Sequence, residues 1–190
     1  MRTETARVGR PRSEQARSAV LHAVDDLLVE VGYAAMTMKG IAERAGVGRQ
    51  TVYRWWSTKA EILFEASVID ARQELAVPVT GDALHDTTAY VDALIAFLSR
   101  SDAGAAYRAL LGEAQHDRAV AELLAGTDVL GDSARAVLAA GRGDEGPSAD
   151  VLDRATAALV GPVLYWVLSG RDANRLDARR IAGASLRELD

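Results

Sequence analysis

The stretch Ile41-Ala42-Glu43-Arg44-Ala45-Gly46-Val47-Gly48-Arg49-Gln50-Thr51-Val52-Tyr53-Arg54-Trp55-Trp56 decides the fold of this chain. It divides into two short helical segments joined at a glycine. The second segment carries arginine, glutamine, threonine and tyrosine. Ala42, Gly46 and Val52 have the spacing that a tight helix-turn-helix requires. A small residue lets the helices approach, a glycine takes the turn, and a branched apolar residue anchors the second helix. A helix held that way presents its outer side chains to the major groove of a duplex.

The flanks extend the pattern. Ser13 is placed to cap a first helix with Glu14 in its first turn, and Val20, Val24, Leu27, Leu28 and Val31 follow at helical spacing. Gly32 supplies a stop. Thr37 is placed to cap the second helix, expected at 38–45, and the third is expected at 49–55. Thr58-x-x-Glu61 fits a capping box ahead of Ile62-Leu63-Phe64, which opens a fourth helix reaching about Ala76 before Pro78 and Gly81.

Beyond Asp82 the periodicity stays helical. Val91, Leu94, Ile95 and Leu98 mark one amphipathic helix, and Tyr107, Leu110, Leu111 and Ala114 mark the next. Shorter segments are expected at 117–125 and 127–141. The stretch 141–148 (GRGDEGPS) has the composition of a flexible loop. The most apolar helix follows at 148–168, and a last one at 176–189. No alternating strand pattern occurs. The expected architecture is all-α: a three-helix N-terminal helix-turn-helix domain plus a larger helical domain, about nine helices in all. The expected divisions are a basic arm at 1–12, the helix-turn-helix domain at 13–60 and the helical body at 61–190.

Composition supports a packed protein, since 49% of the 190 residues are hydrophobic. There is no cysteine, which removes disulfides, thiolate metal sites and cysteine nucleophiles together. No apolar run approaches the roughly 18 residues of a membrane span and no signal peptide is apparent, so a cytoplasmic protein without membrane contact is expected. The net charge of −5 is unevenly spread. Residues 1–60 hold ten basic and six acidic side chains, a balance of +4, while 61–190 hold twelve and twenty-one, a balance of −9. Basic charge therefore gathers where the helix-turn-helix lies, as phosphate contact requires.

The residue chemistry follows from that placement. Arg49 opens the recognition helix, and its guanidinium fork suits guanine O6 and N7. Gln50 suits adenine or a phosphate. Thr51 and Tyr53 carry hydroxyls for phosphate oxygens, and the tyrosine ring also fits a thymine methyl. Arg54 reaches either backbone or base. Arg10, between Gly9 and Pro11, has the form of an arm that enters a narrow minor groove, or of a solvated tail.

Residues 13–65 resemble the N-terminal domain of the TetR family of bacterial transcriptional repressors. The resemblance rests on Thr37, on Ile41-Ala42-x-x-Ala45-Gly46-Val47, on Thr51-Val52-Tyr53, and on Ser57-x-Lys59 with Glu61-Ile62-Leu63. It implies that the flanking Thr37 and the two lysines, Lys39 and Lys59, belong to the DNA face, with Lys59 against a phosphate beside a helix N-terminus. The family position near Trp55 and Trp56 often holds histidine-phenylalanine. Trp55 completes the candidate DNA set, although both tryptophans also suit packing.

One helix-turn-helix covers half a site, so a homodimer on double-stranded operator DNA is expected. The 148–168 helix is too apolar for a lone surface, and pairing it with the last helix of two chains gives a four-helix bundle, as the resemblance also implies. The candidate contacts are Val160, Val163, Leu164, Val167, Ile181 and Leu186. Gly161 and Pro162 lie within that helix, where proline should kink it. The resemblance implies that the larger domain binds a ligand and dimerises, and TetR relatives usually hold an inducer among the middle helices. The corresponding candidates are Tyr90, Phe97, Tyr107, His116, Tyr165 and Trp166, and an apolar or aromatic small molecule is the expected ligand. No metal or cofactor is expected. The histidines His22, His85 and His116 are scattered, and no nucleophile motif or phosphate loop accompanies them, so an enzyme is not expected. A helical interaction module or a ligand-binding protein without DNA-reading activity is the alternative, and it leaves the basic N-terminal region and the Arg49-to-Lys59 pattern unexplained.

Overall fold

The computed structural model describes residues 9–140 and 146–189, with side chains described from residue 13. The expected loop is therefore visible only at 146–148. Most of the arm, including the Arg10 side chain, lies outside the described residues. The order among them is α1 (Gly9–Ala35), α2 (Met38–Arg44), α3 (Arg49–Tyr53), α4 (Lys59–Glu74), α5 (Ala83–Arg100), α6 (Asp102–Glu113), α7 (Arg118–Gly126), α8 (Val129–Ala139), α9 (Ala149–Leu168) and α10 (Ala178–Arg187). A single 3-10 turn, Ala173–Arg175, precedes α10, and no strand occurs among the described residues.

The chain forms two compact units, Met1–Ala66 and Ser67–Asp190, so the division falls inside α4. In the first unit α1 packs on α2 and α2 on α3. The core is built from Val20, Ala23 and Val24 of α1, Ile41 and Ala42 of α2, Val52 of α3, and Ile62 and Leu63 of α4, all buried. α1 begins at Gly9, four residues before the expected cap at Ser13. Its helical geometry does break at Gly32, whose φ is 76°. Of the expected inner face, Val20 and Val24 are fully buried, but Val31 is 50% exposed.

Of the three predicted caps of this unit, Ser13 lies inside α1 instead of heading it, and the other two are formed. The Thr37 hydroxyl accepts from Gly40 N at 3.0 Å at the start of α2. At the start of α4 the Thr58 hydroxyl accepts from Glu61 N, while the Glu61 carboxylate reaches back to accept from Ser57 N at 2.7 Å. Each satisfies backbone donors that the helix itself leaves open.

In the second unit α5 is central, packing against α6, α8, α9 and α10. Tyr90, Val91, Leu94, Phe97 and Leu98 are wholly buried along it. Its neighbours start at polar caps: the side chains of Asp82, Ser101, Asp117, Asp128 and Asp177 each accept a backbone N–H at the head of α5, α6, α7, α8 and α10. Close approach of α6 to the end of α5 depends on Gly104, where a Cβ would stand 1.8 Å from the Phe97 carbonyl oxygen. The segment leading into α5 is fastened by the buried Asp86. Its carboxylate accepts from Thr80 N at 2.9 Å, from the Thr80 hydroxyl at 2.6 Å and from Gly81 N at 3.1 Å.

α9 runs unbroken through Pro162. By length and composition it would suffice to cross a membrane, yet it carries Asp150, Asp153 and Arg154 and packs on α5, α8 and α10. Leu159, Val160 and Val163 turn into the core of their own unit. Leu164 and Val167 are half-buried, as are Ile181 and Leu186 on α10. The face of α9 left open to solvent carries Ala157, Gly161, Tyr165 and Leu168.

Candidate nucleic-acid interface

The interface rests on the turn between α2 and α3. Gly46 has a φ of 66°, a left-handed conformation that costs a residue with a side chain about 1–2 kcal/mol. Val47 N then donates to Ala42 O at 3.0 Å, closing the end of α2. α3 spans only five residues and cannot be stable alone. What fixes it is burial: Val52 is fully inside, and Trp56, just past the helix, is 4% exposed.

Trp56 is tied further by chemistry that spacing does not reveal. Its indole N–H donates to the Glu65 carboxylate at 3.0 Å, and Glu65 is paired with Arg17 at 2.8 Å. This chain of contacts joins α1, the end of α3 and α4. Trp55 stands edge-on to Trp56, ring centres 5.4 Å apart, and Arg54 stacks on Trp55 at 5.4 Å. Trp56 is therefore packing, while Trp55 is half-buried beneath Arg54.

With its apolar side held in this way, α3 turns Arg49, Gln50, Tyr53 and Arg54 to solvent, and Thr51 is half-buried. Tyr53 is 56% exposed, unusual for an aromatic side chain without a partner surface. Neither Arg49 nor Arg54 forms an ion pair among the described residues. Exposed arginines that form no ion pair among the described residues, with an exposed tyrosine beside them, make a ridge able to donate to phosphates and base edges.

The flanking residues are more engaged. Lys39 is exposed and lies 3.6 Å from Glu43 one turn on. The Thr37 hydroxyl serves as a cap while its side chain stays exposed. Lys59 is half-buried, and its ammonium donates to Tyr33 O at 2.7 Å and Met36 O at 3.1 Å, standing 4.2 Å from the centre of the Tyr33 ring. It clamps the connection between α1 and α2, a role not visible in the sequence. Arg44, which sequence position suggests is a plain surface charge, grips Glu30 with both guanidinium nitrogens and lies 3.5 Å from Asp26. That bond holds the Glu30 carboxyl below its ordinary pKa and braces α2 on α1.

The second unit contains a cavity of about 290 Å³ at the end of α4, between α5 and α8. Leu75, Val77, Val79, Val129 and Val137 line it, with Arg72 and Asp132 among its polar groups. Tyr90 enters its wall with the phenol donating to Leu130 O at 3.0 Å and lying 2.9 Å from the Ser133 hydroxyl. Burial pushes the Tyr90 phenol up to about 12, so it stays protonated. Of the six residues expected around a ligand, Tyr90 alone lines this cavity. Phe97 and Tyr107 are buried against each other, ring centres 6.2 Å apart. His116 is exposed in the turn before α7. Tyr165 and Trp166 lie at the end of α9 beside Arg171, 4.8 and 4.9 Å from its guanidinium carbon.

Comparison with known proteins agrees with this geometry. The family model for bacterial regulatory proteins of the tetR family matches residues 20–66, and that for the tetracyclin repressor-like C-terminal domain matches residues 77–184. YdeS of Bacillus subtilis, named as an uncharacterized HTH-type transcriptional regulator, is 40% identical over 114 residues, 60% of this chain and 57% of that protein. The match thus spans little more than half of the length of that relative. Among solved structures, the TetR family transcription regulator SCO0332 covers 93% of this chain and 97% of its own, with a TM-score of 0.68 and 26% identity. The multidrug binding protein EbrR, solved with imidazole, covers 98% of both chains with a TM-score of 0.64 at 18% identity, a likeness of fold.

Proposed function

Because the chain belongs to the TetR family of bacterial regulatory proteins, we propose that it is a sequence-specific transcriptional repressor that binds operator DNA as a homodimer. A small molecule held in the second unit releases it. The observation that carries the reading is the exposed ridge of Arg49, Gln50, Tyr53 and Arg54 on a helix fixed by buried Val52 and Trp56. Arg49 reads guanine, Tyr53 and Thr51 meet phosphates, and Arg54 reaches backbone or base. Lys39 and the exposed edge of Thr37 flank the same groove. The protein works in the cytoplasm, beside the DNA.

Pairing of two chains uses α9 and α10. Since Val160 and Val163 are occupied by their own core, the partner helix meets Ala157, Gly161, Tyr165 and Leu168, with Leu164 and Val167 at the margin. The small residues allow close approach, and Tyr165 at 60% and Leu168 at 54% exposure supply apolar area to bury.

The effector site is the cavity walled by Leu75, Val77, Val129 and Val137, with Tyr90 and Ser133 as its polar corner. A compact apolar or aromatic molecule fits this lining. The bound imidazole of EbrR is in keeping with a small ring as ligand. Arg72 in the last turn of α4 and Leu75 just past it line the cavity, and Lys59 opens the same helix, which makes α4 the natural lever from ligand to DNA. The ligand lowers operator affinity by as much as it prefers the released state.

Fluorescence anisotropy on labelled duplex tests the first part. Affinity should fall about tenfold or more between 50 and 200 mM salt as counterions return to the phosphates. Binding that is absent, or indifferent to salt, overturns the reading.

A further inference from the structure

A second concavity in the Ser67–Asp190 unit shares no lining residue with the cavity around Tyr90 and is its chemical opposite. It has a volume of about 370 Å³ and lies among the end of α5, α6 and the turn after α9. Three arginines line it: Arg100, Arg108 and Arg171. We propose that it is a binding site for a small doubly charged oxyanion, a phosphate ester or a dicarboxylate.

The body carries more acidic than basic residues; its Arg118, Arg135 and Arg154 have carboxylate partners, while Arg72, Arg175, Arg179, Arg180 and Arg187 form none among the described residues and are not gathered on this hollow. Arg100, Arg108 and Arg171 form no ion pair among the described residues, although they converge on one hollow. The sole carboxylate on the lining is Asp172, and its Oδ1 is taken up by the backbone and side-chain nitrogens of Asn174, each at 3.0 Å. Three cations against one engaged carboxylate leave the hollow positive, and its walls concentrate that field.

Two of the arginines are also held in place. Arg108 is half-buried and donates to the Leu98 carbonyl at the end of α5. Burial pushes its pKa below the ordinary arginine value, the sign of a cation short of compensation. Arg171 lies over the rings of Tyr165 and Trp166 at 4.8 and 4.9 Å, and the Trp166 indole is itself fixed by donating to Asp172 O at 2.9 Å. Guanidinium groups positioned beforehand lose little entropy on binding, and their forks match the paired oxygens of phosphate and carboxylate. Asn174 supplies an uncharged polar group on the rim.

Isothermal titration of the full chain with inorganic phosphate, and separately with succinate, tests the site at constant ionic strength. One-to-one binding of either probe is expected, and Arg100→Gln with Arg171→Gln should weaken it by about tenfold or more. Arg108→Lys keeps the charge and loses the fork, so it should weaken binding while leaving the circular dichroism unchanged. Phosphate alone binding assigns a phosphate ester, and succinate alone assigns a dicarboxylate. Heats matching those of sodium chloride, or variants that bind as the parent does, overturn the proposal.

Discussion

Arg49 and Lys59 are both basic and both flank the same short helix, yet their surroundings assign them different work. Arg49 is exposed at the head of α3 without an ion-pair partner among the described residues, so its guanidinium is available to a base edge. Arg49→Ala should cost about 1–3 kcal/mol of specific binding and relax the preference at one operator position. Competition between parent and mutated duplexes checks this; equal discrimination by both proteins would remove the base-reading role. Lys59 spends its ammonium on the carbonyls of Tyr33 and Met36 and on the Tyr33 ring. Lys59→Met should therefore lower the stability of the N-terminal unit by about 1–2 kcal/mol, since carbonyls now served by a charged donor would lose it. Urea unfolding followed by tryptophan fluorescence on a Trp166→Phe background, which leaves Trp55 and Trp56 as the reporters, measures that loss.

At the scale of elements, the most informative parts of the sequence were the local ones. Thr37, Thr58 with Glu61, and Gly46 all do what their spacing predicts, because caps and turns are settled within three or four residues. Features that depend on distant partners were not legible. Lys59 meets Tyr33 across 26 positions and Arg44 meets Glu30 across 14, and no local pattern specifies either. The same limit explains the middle helices. Periodicity identified apolar stripes on α5, α6 and α9, but not which stripe faces a cavity, so Tyr90 lines one while Tyr165 and Trp166 meet Arg171 instead. Gly104→Ala should destabilise the second unit by about 1–3 kcal/mol in thermal unfolding, because its Cβ would meet the α5 backbone. Asp86 gives a pH dependence: the Thr80 hydroxyl, together with the backbone N–H groups of Thr80 and Gly81, holds its carboxyl below the ordinary value. A depressed carboxyl contributes stability that is present above its unfolded value of about 4 and lost as pH falls through the folded one. Asp86→Asn should therefore be less stable than the parent at pH 7, with the gap closing under acid, as thermal melts across pH will measure.

Across the whole molecule, charge and apolar surface are distributed between distinct tasks. The basic excess lies in residues 1–60 and the acidic excess in the body, so attraction to phosphate is concentrated around the helix-turn-helix. Within the body, an apolar cavity and an arginine-lined hollow occupy separate places, and the outer face of α9 leaves Tyr165 and Leu168 exposed, where the proposed pairing of two chains would bury them. Two such chains carry two α3 helices, which makes operator symmetry a consequence of protein symmetry. The measurement that tests this most directly is selection of bound sequences from a random duplex pool at near-physiological salt. A palindromic consensus, with half-sites separated by about one helical turn of 10 base pairs or a multiple of it, is the predicted result. Recovery of a pool no different from the input would contradict the claim that α3 reads DNA.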